Sequence, residues 1–177
     1  MAALDRQRIQ EIIEALADRL DGEWLLIGGA LVSLWLRPRR VTEDVDIIGL
    51  EGTQEQRFAL LRAAADLGLP VEAVNSAADF FVQKIDGWKE DTQVFLRGKR
   101  GVILRPSPEL FLLLKMRRLS AQDLDDCLAL FDHVSTHGLD LDIARVAKAI
   151  EALDPTDDVA LRERRQRLQQ WLNDCSR

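Results

Sequence analysis

The chain has 177 residues, of which 47% are hydrophobic and 31% are charged, and its formal net charge is -6. This composition is typical of a globular protein, and the length favours one domain with a sizeable core. The acidic balance argues against a protein that coats nucleic acid, so stable DNA binding is not expected. No apolar run is long enough to cross a membrane, and the charged N-terminal segment does not resemble a signal peptide. Two distant cysteines, Cys127 and Cys175, favour a reduced, cytoplasmic protein.

Helix and strand patterns alternate through the first half of the chain. The predicted elements are a helix capped by Asp5, a strand over residues 24–28, a helix over about 30–36, a strand over 44–50, a helix from Thr53 to about Leu67, a strand over 71–74, a helix opened by Ser76, and a hairpin around the turn at 98–101. A stacking role is open for Trp88, which follows Gly87.

Helix signals dominate the second half. Ser107 with Pro108, and then Ser120, begin two helices, Gly138 ends the second of them, and Asp140 and Asp154 are expected to cap two more. We therefore predict an α+β fold, with a small mixed sheet and an α-helical C-terminal half. The prediction is a single domain over residues 1–177, with a core over about 20–106 and a helical part over about 107–177.

Two carboxylates, Asp44 and Asp46, stand one residue apart in a predicted strand, so they share one face. Like charges at this spacing repel, and partial burial increases the repulsion, so we expect a cation between them. Proteins hold Mg²⁺ through one or two carboxylates together with substrate phosphates. The pair therefore predicts a magnesium site.

Gly28 and Gly29 follow the first predicted strand and open a helix. Glycines let the backbone approach a ligand closely, and a helix N-terminus offers N–H groups to a phosphate. A basic loop, residues 37–40, joins this segment to the acidic pair. Together these features indicate a nucleoside triphosphate with magnesium. Each feature also has a structural explanation, since Gly-Gly is commonly a tight turn and a DxD pair commonly ends at a surface.

The whole arrangement resembles the polymerase-β-type nucleotidyltransferase superfamily, in which a Gly-Gly or Gly-Ser opens a helix and a DxD pair follows. The chain looks most like the AbiEii-type branch of toxin–antitoxin nucleotidyltransferases, whose R-x-T-x-D-x-D pattern is matched by residues 40–46. That branch carries a lysine on a later apolar helix and then D-x-x-D, matched here by Lys115 and by Asp123 with Asp126. The resemblance covers about residues 20–132.

The resemblance implies a role for each matching position. The implied catalytic residues are Asp44, Asp46, Glu72, Lys115, Asp123 and Asp126; the implied nucleotide-binding residues are Gly28, Gly29, Arg40, Thr42 and Lys115; and the implied Mg²⁺ ligands are Asp44 and Asp46. Glu72 is the candidate for the third carboxylate that the superfamily usually has on a neighbouring strand. Asn75, close to it, is polar in an apolar setting; a place in the pocket stays open for it, but a turn is favoured.

Structural explanations exist for the later residues of the motif. The Lys115 side chain is long enough to extend from a buried helix to solvent. Asp123 stands three residues after Ser120, the spacing of a capping box, and this alone accounts for an acidic residue there. Both explanations stay open beside the catalytic roles that the resemblance implies.

The resemblance implies a Mg²⁺-dependent enzyme that moves NMP from an NTP to a hydroxyl of an RNA end or a protein. It also implies a toxin–antitoxin setting, with a cognate antitoxin as a partner. A second hypothesis is a catalytically weakened module of the same fold that binds a nucleotide or a partner. A third is a small-molecule nucleotidyltransferase of the antibiotic-modifying kind, with an acidic acceptor pocket built from Asp123, Asp125 and Asp126.

Overall fold

The computed structural model describes residues 3–70, 73–75 and 79–175. Within these residues the chain forms a five-stranded mixed sheet and eight helices, with 54% of the residues helical and helices throughout the C-terminal half. The predicted α+β class is confirmed. None of the helices in this part of the chain combines the length and apolar character that crossing a bilayer requires.

The elements follow one another in the predicted order. They are α1 (Arg6–Arg19), β1 (Gly22–Ile27), α2 (Gly28–Trp35), β2 (Val45–Gly49), α3 (Gln54–Asp66), β3 (Val74–Asn75), α4 (Asp79–Val82), β4 (Thr92–Arg97), β5 (Gly101–Pro106), α5 (Pro108–Met116), α6 (Ala121–His137), α7 (Ile143–Glu151) and α8 (Val159–Cys175).

The chain divides into two compact units, Met1–Ser107 and Pro108–Arg177. The first unit contains the sheet with α1 to α4, and the second contains α5 to α8. The single domain over residues 1–177 stays a prediction.

The sheet of the first unit has the strand order β3-β2-β1-β5-β4. Strand β1 lies at its centre, antiparallel to β2 and parallel to β5, whereas β2 and β3 are parallel. Ile27, the last residue of β1, pairs with Asp46 of β2. This register places the start of α2 beside Asp46, and Asp44 directly precedes the same strand.

Apolar residues with helical or strand spacing form the core of the first unit. Ile9, Ile13 and Leu16 on α1 are at most 1% exposed, and Trp24 and Leu26 of β1 are equally buried. Burying a large apolar side chain contributes about 1.5–3 kcal/mol relative to leaving it in water. The core therefore fixes β1, and with it the β1–α2 junction on which the candidate site depends.

The third strand differs from its prediction. Strand β3 covers Val74–Asn75 rather than residues 71–74, and Glu72 lies outside the described residues, as do Val71 and Ser76. Asn75 is therefore part of a strand and not of a turn. The reason is pairing: Val45 and Asp46 of β2 pair with Val74 and Asn75, and this long-range contact overrides the local turn propensity of asparagine.

Two predicted helix caps are also wrong. Asp142 caps α7 instead of Asp140, accepting a hydrogen bond from the Arg145 N–H at 2.9 Å. Asp158 rather than Asp154 precedes α8 and accepts from the Leu161 N–H at 3.0 Å. A capping carboxylate must immediately precede the first helical residue to reach an N–H three residues on, and both helices begin later than expected.

Candidate functional site

Gly28 brings the backbone of α2 directly against Asp46. Its φ of +68° is a conformation that residues with a β-carbon rarely adopt, and it lets β1 turn at once into a helix. A β-carbon on Gly28 would lie 2.0 Å from Asp46 Oδ2, which is far closer than atoms can approach. Glycine is therefore required here for two reasons, the backbone angle and the space occupied by the Asp46 carboxylate.

Gly29 likewise brings the backbone of α2 directly against side chains of the loop before β2. A β-carbon there would lie 2.6 Å from Thr42 Oγ1 and 3.4 Å from Arg40 Nη2. The Thr42 hydroxyl donates a hydrogen bond to Asp44 Oδ1 at 3.2 Å. The Arg40 guanidinium and the Thr42 hydroxyl thus lie beside the first turn of α2, and the hydroxyl connects this turn to the Asp44 carboxylate.

The loop that carries Thr42 is anchored by the N-terminal segment. The Leu4 N–H donates to the Thr42 carbonyl at 2.6 Å, and the Thr42 N–H donates to the Leu4 carbonyl at 3.2 Å. Thr42 is consequently buried, at 9% exposure. This two-way bridge holds the hydroxyl in position to orient Asp44.

The N-terminus of α2 is suited to an anion. Ile27 is its N-cap residue and has no side chain that can accept from the helix N–H groups, and the first turn contains no acidic residue. The N–H groups of a helix start carry a partial positive charge and bind phosphate or carboxylate groups. The Arg40 guanidinium beside Gly29 adds a full positive charge to this end of the helix.

Asp44 and Asp46 are half-buried, and their oxygens are the hard donors that Mg²⁺ prefers. Among the described residues, no group of three or more His, Cys, Asp or Glu side chains is arranged to hold a metal ion. A site of two carboxylates suits Mg²⁺, which keeps several waters and completes its shell with substrate phosphates. The two carboxylates, together with the helix start at Gly28 and Gly29, therefore fit a magnesium ion that arrives with a nucleotide.

Lys115 lies in the second unit, on α5, and its ammonium group is held between two carboxylates of α6. Nζ donates to Asp123 Oδ1 at 3.0 Å and to Asp126 Oδ2 at 2.9 Å. The side chain of Lys115 is 12% exposed, and those of Asp123 and Asp126 are 2% and 0% exposed. The structure therefore brings together the three later residues of the motif, and the lysine does not extend to solvent.

Asp123 also serves the start of α6. Its carboxylate accepts from the Ser120 N–H at 3.0 Å, and its own N–H donates to the Ser120 hydroxyl at 3.1 Å, which completes a capping box. Burial alone would raise the pKa of Asp123. The hydrogen bonds from Arg118 and the charge of Lys115 outweigh burial and hold this pKa well below its usual value. The structural explanation of Asp123 is thus present in full, and its catalytic role stays a prediction.

Two other side chains, Cys127 and Trp88, are too buried to react with or bind a ligand at the surface. Cys127 on α6 is fully buried, and burial raises the pKa of its thiol to about 12, so it is neutral at physiological pH. Trp88 is only 9% exposed, so the stacking role that the sequence left open for it is not supported by its position. It packs as a core residue of the first unit.

Asn75 lies beside Asp46 and not in the turn that sequence reasoning favoured over a place in the pocket. It pairs with Asp46 across β2 and β3 and is half-buried, as Asp46 is. The only sequence signal was a polar residue in an apolar setting, and strand register cannot be read from a two-residue strand. Glu72, the residue predicted instead, lies outside the described residues.

Comparison of the chain with protein-family models, with curated proteins and with solved structures gives no significant match. The function is accordingly argued from the geometry of the site and from the motifs in the sequence.

Proposed function

We propose that the chain is a Mg²⁺-dependent nucleotidyltransferase of the polymerase-β type, which moves NMP from an NTP to a hydroxyl acceptor. The observation that carries the proposal is the contact between Gly28, at the start of α2, and Asp46 of the DxD pair. Asp46 lies against Gly28 at the start of α2, so closely that a β-carbon would not fit between them. A carboxylate that can bind a cation and a helix start that can bind a phosphate thus meet at one point.

The triphosphate is proposed to bind at the N-terminus of α2. The start of this helix offers backbone N–H groups to phosphate oxygens, and the Arg40 guanidinium lies beside Gly29. Arginine presents several N–H donors in a fixed plane that matches phosphate geometry. Thr42, held by the Leu4 bridge, keeps Asp44 oriented toward the same region.

Asp44 and Asp46 are the proposed ligands of Mg²⁺. When bound there, the ion reduces the repulsion between the carboxylates and the phosphates and stabilises charge on the departing pyrophosphate. The chain itself supplies the Asp46 carboxylate from β2, the Asp44 carboxylate directly before that strand, and the positive end of α2. These groups are fixed in place before the nucleotide arrives, and fixed charges need no reorganisation during the reaction.

The acceptor is proposed to be an RNA end or a protein hydroxyl, within a toxin–antitoxin pair that includes a cognate antitoxin. This part of the proposal is supported by the R-x-T-x-D-x-D pattern of residues 40–46 and by Lys115, Asp123 and Asp126. The antibiotic-modifying alternative needs an open acidic pocket. Asp123 and Asp126 are buried and paired with Lys115, and of that acidic group only Asp125 is exposed, so the structure gives this alternative little support.

A second candidate function is a nucleotide-binding module that transfers slowly or not at all. It is favoured by one observation: the residue that pairs with Asp46 on the neighbouring strand is Asn75, an amide, where the superfamily usually has a carboxylate. An amide cannot accept a proton from an acceptor hydroxyl at neutral pH. The two candidates differ in turnover and not in nucleotide binding.

The test is a transfer assay with each α-labelled NTP and Mg²⁺, offered total RNA, cell-lysate protein and a panel of small alcohols. The wild type is compared with Asp44→Asn/Asp46→Asn and with Asp86→Asn, which makes the same chemical change at an exposed residue of the first unit. Label in one acceptor pool, retained by Asp86→Asn and lost in the double variant, supports the enzyme and identifies the acceptor class. Nucleotide binding without label in any pool supports the binding module.

A further inference from the structure

The pairing of β2 with β3 sorts four side chains onto two faces of the sheet. Val45 pairs with Val74, and Asp46 pairs with Asn75. The two valines are 0% and 5% exposed, whereas Asp46 and Asn75 are both half-buried. Because successive residues of a strand point to opposite faces, Asp46 and Asn75 share the less buried face and the valines share the core face.

Asp46 thus has a neighbour on each side across the sheet. On one side it pairs with Ile27, the residue directly before the glycines of α2. On the other side it pairs with Asn75. Neighbouring strands lie about 4.8 Å apart, so side chains of paired residues on the same face are close enough to reach one ligand. Asn75 therefore flanks the candidate metal site on the side away from α2.

We propose that Asn75 is the third residue of this site and supplies a neutral oxygen ligand to its cation. The inference rests on the proposed nucleotide site and makes it more specific. Asparagine carbonyl oxygens are ligands for hard cations, but they add no negative charge to the two carboxylates. The site accordingly takes one divalent cation, delivered with the triphosphate of the nucleotide.

The charge of the site is the reason for the single cation. Two divalent ions held close together repel each other, and sites that hold them supply several carboxylates as compensation. Asp44 and Asp46 together provide two negative charges, and the described residues contain no group of three acidic, histidine or cysteine side chains that could hold a metal. Replacing the amide of Asn75 with a carboxylate supplies the missing charge at the same position.

The experiment counts bound Mn²⁺, a paramagnetic substitute for Mg²⁺, by electron paramagnetic resonance titration of the full chain without nucleotide. Asn75→Asp is compared with the wild type and with Asn173→Asp, the same change at an exposed residue of α8. We expect Asn75→Asp to bind Mn²⁺ at least about tenfold more tightly than Asn173→Asp, or to bind one ion more, because a third carboxylate joins the site. Equal affinity and equal stoichiometry in the two variants overturn the proposal.

The outcome for the proposed function is judged separately, from the wild type and Asp46→Asn. If the wild type binds NTP with Mg²⁺ no more tightly than Asp46→Asn does, the proposed function fails. A gain in Asn75→Asp over Asn173→Asp still supports the placement of Asn75 beside the two carboxylates, and no gain still overturns it. Should Asn75→Asp not fold, Asn75→Ala decides: at least about threefold weaker Mn²⁺ binding supports the proposal, and unchanged binding overturns it.

Discussion

A β-carbon added to Gly28 would lie 2.0 Å from Oδ2 of Asp46. The contact follows from the topology: β1 pairs antiparallel with β2, Ile27 pairs with Asp46, and the chain turns into α2 immediately after Ile27. The proposed phosphate-binding and cation-binding parts of the candidate site are therefore one structural unit. A change in either residue displaces the other.

Gly28→Ala tests this relation, and Gly68→Ala is its matched control. Both glycines have a positive φ, +68° and +65°, but a β-carbon at Gly68 meets no atom within 4 Å. Both variants should therefore lose about 1–2 kcal/mol of unfolding free energy through backbone strain. Only Gly28→Ala should also lose Mg²⁺-dependent nucleotide binding, by at least about tenfold, because Asp46 is displaced. Equal nucleotide affinity in the two variants would show that the contact does not matter for binding.

Lys115→Met should destabilise the second unit. It leaves Asp123 and Asp126 buried without the ammonium group that lies 3.0 Å and 2.9 Å from their oxygens. Removing one partner of a buried ion pair costs about 3–5 kcal/mol of unfolding free energy, which urea denaturation measures. Lys148→Met, at an exposed position of α7, is the control. A loss below about 1 kcal/mol for Lys115→Met would mean that the ion-pair network contributes little to stability.

The triple variant Lys115→Met/Asp123→Asn/Asp126→Asn extends that test. With the two carboxylates made neutral, the missing ammonium group no longer leaves buried charge uncompensated. We expect the triple variant to be more stable than Lys115→Met alone, since replacing all members of a buried network is less costly than removing one. A triple variant less stable than Lys115→Met would contradict the electrostatic explanation.

The stability difference between the wild type and Asp123→Asn should depend on pH. Because Arg118, Lys115 and Ser120 hold the pKa of Asp123 below its usual value against the effect of burial, the folded protein takes up this proton less readily than the unfolded chain. The contribution is therefore fully present above the unfolded pKa of about 3.9 and is lost as pH falls toward the folded pKa. Unfolding free energies at pH 7, 5 and 3 should show the difference shrinking only at the lowest pH. Asp132→Asn, the same change at an exposed residue of α6, is the matched control.

Cys127 should resist alkylation while the chain is folded. Its thiol is fully buried, and burial raises its pKa to about 12, so the reactive thiolate is scarce at pH 8. The test uses Cys175→Ser, so that any label reports on Cys127 alone, and follows iodoacetamide labelling by mass. Labelling should begin only in denaturant. Fast labelling of the folded chain would contradict the burial of α6 at this residue.

The parts of the fold that sequence predicted are those with strong local signals. The apolar spacing in α1, the capping box of Ser120 and Asp123 and the left-handed Gly138 at the end of α6 are local patterns, and all three occur in the structure. Strand β3 has no such pattern: only its pairing with β2 defines it, so Asn75 was expected in a turn. The cap of α7 was also mispredicted. Asp140 and Asp142 are both suitable capping residues, and only the position at which the helix begins selects Asp142.

For the candidate site, too, the sequence predicts the local motifs but not the contacts that depend on tertiary packing. The motif indicates that Gly28 and Asp46 belong to one site, because the turn from strand to helix and the DxD pair are both visible in the sequence. It does not indicate that Lys115 is held between two buried carboxylates, since that contact depends on how α5 packs on α6. Nor does it show that Asn75 pairs with Asp46, because that pairing depends on strand register.

The most direct test of the central claim is calorimetric titration of NTPs into the full chain, with Mg²⁺ and with EDTA, for the wild type, Asp46→Asn and Asp86→Asn. The account predicts that the wild type and Asp86→Asn bind at least one NTP only when Mg²⁺ is present, and that Asp46→Asn binds it at least about tenfold more weakly. Wild-type protein that binds no NTP, or Asp46→Asn protein that binds as the wild type does, would contradict it.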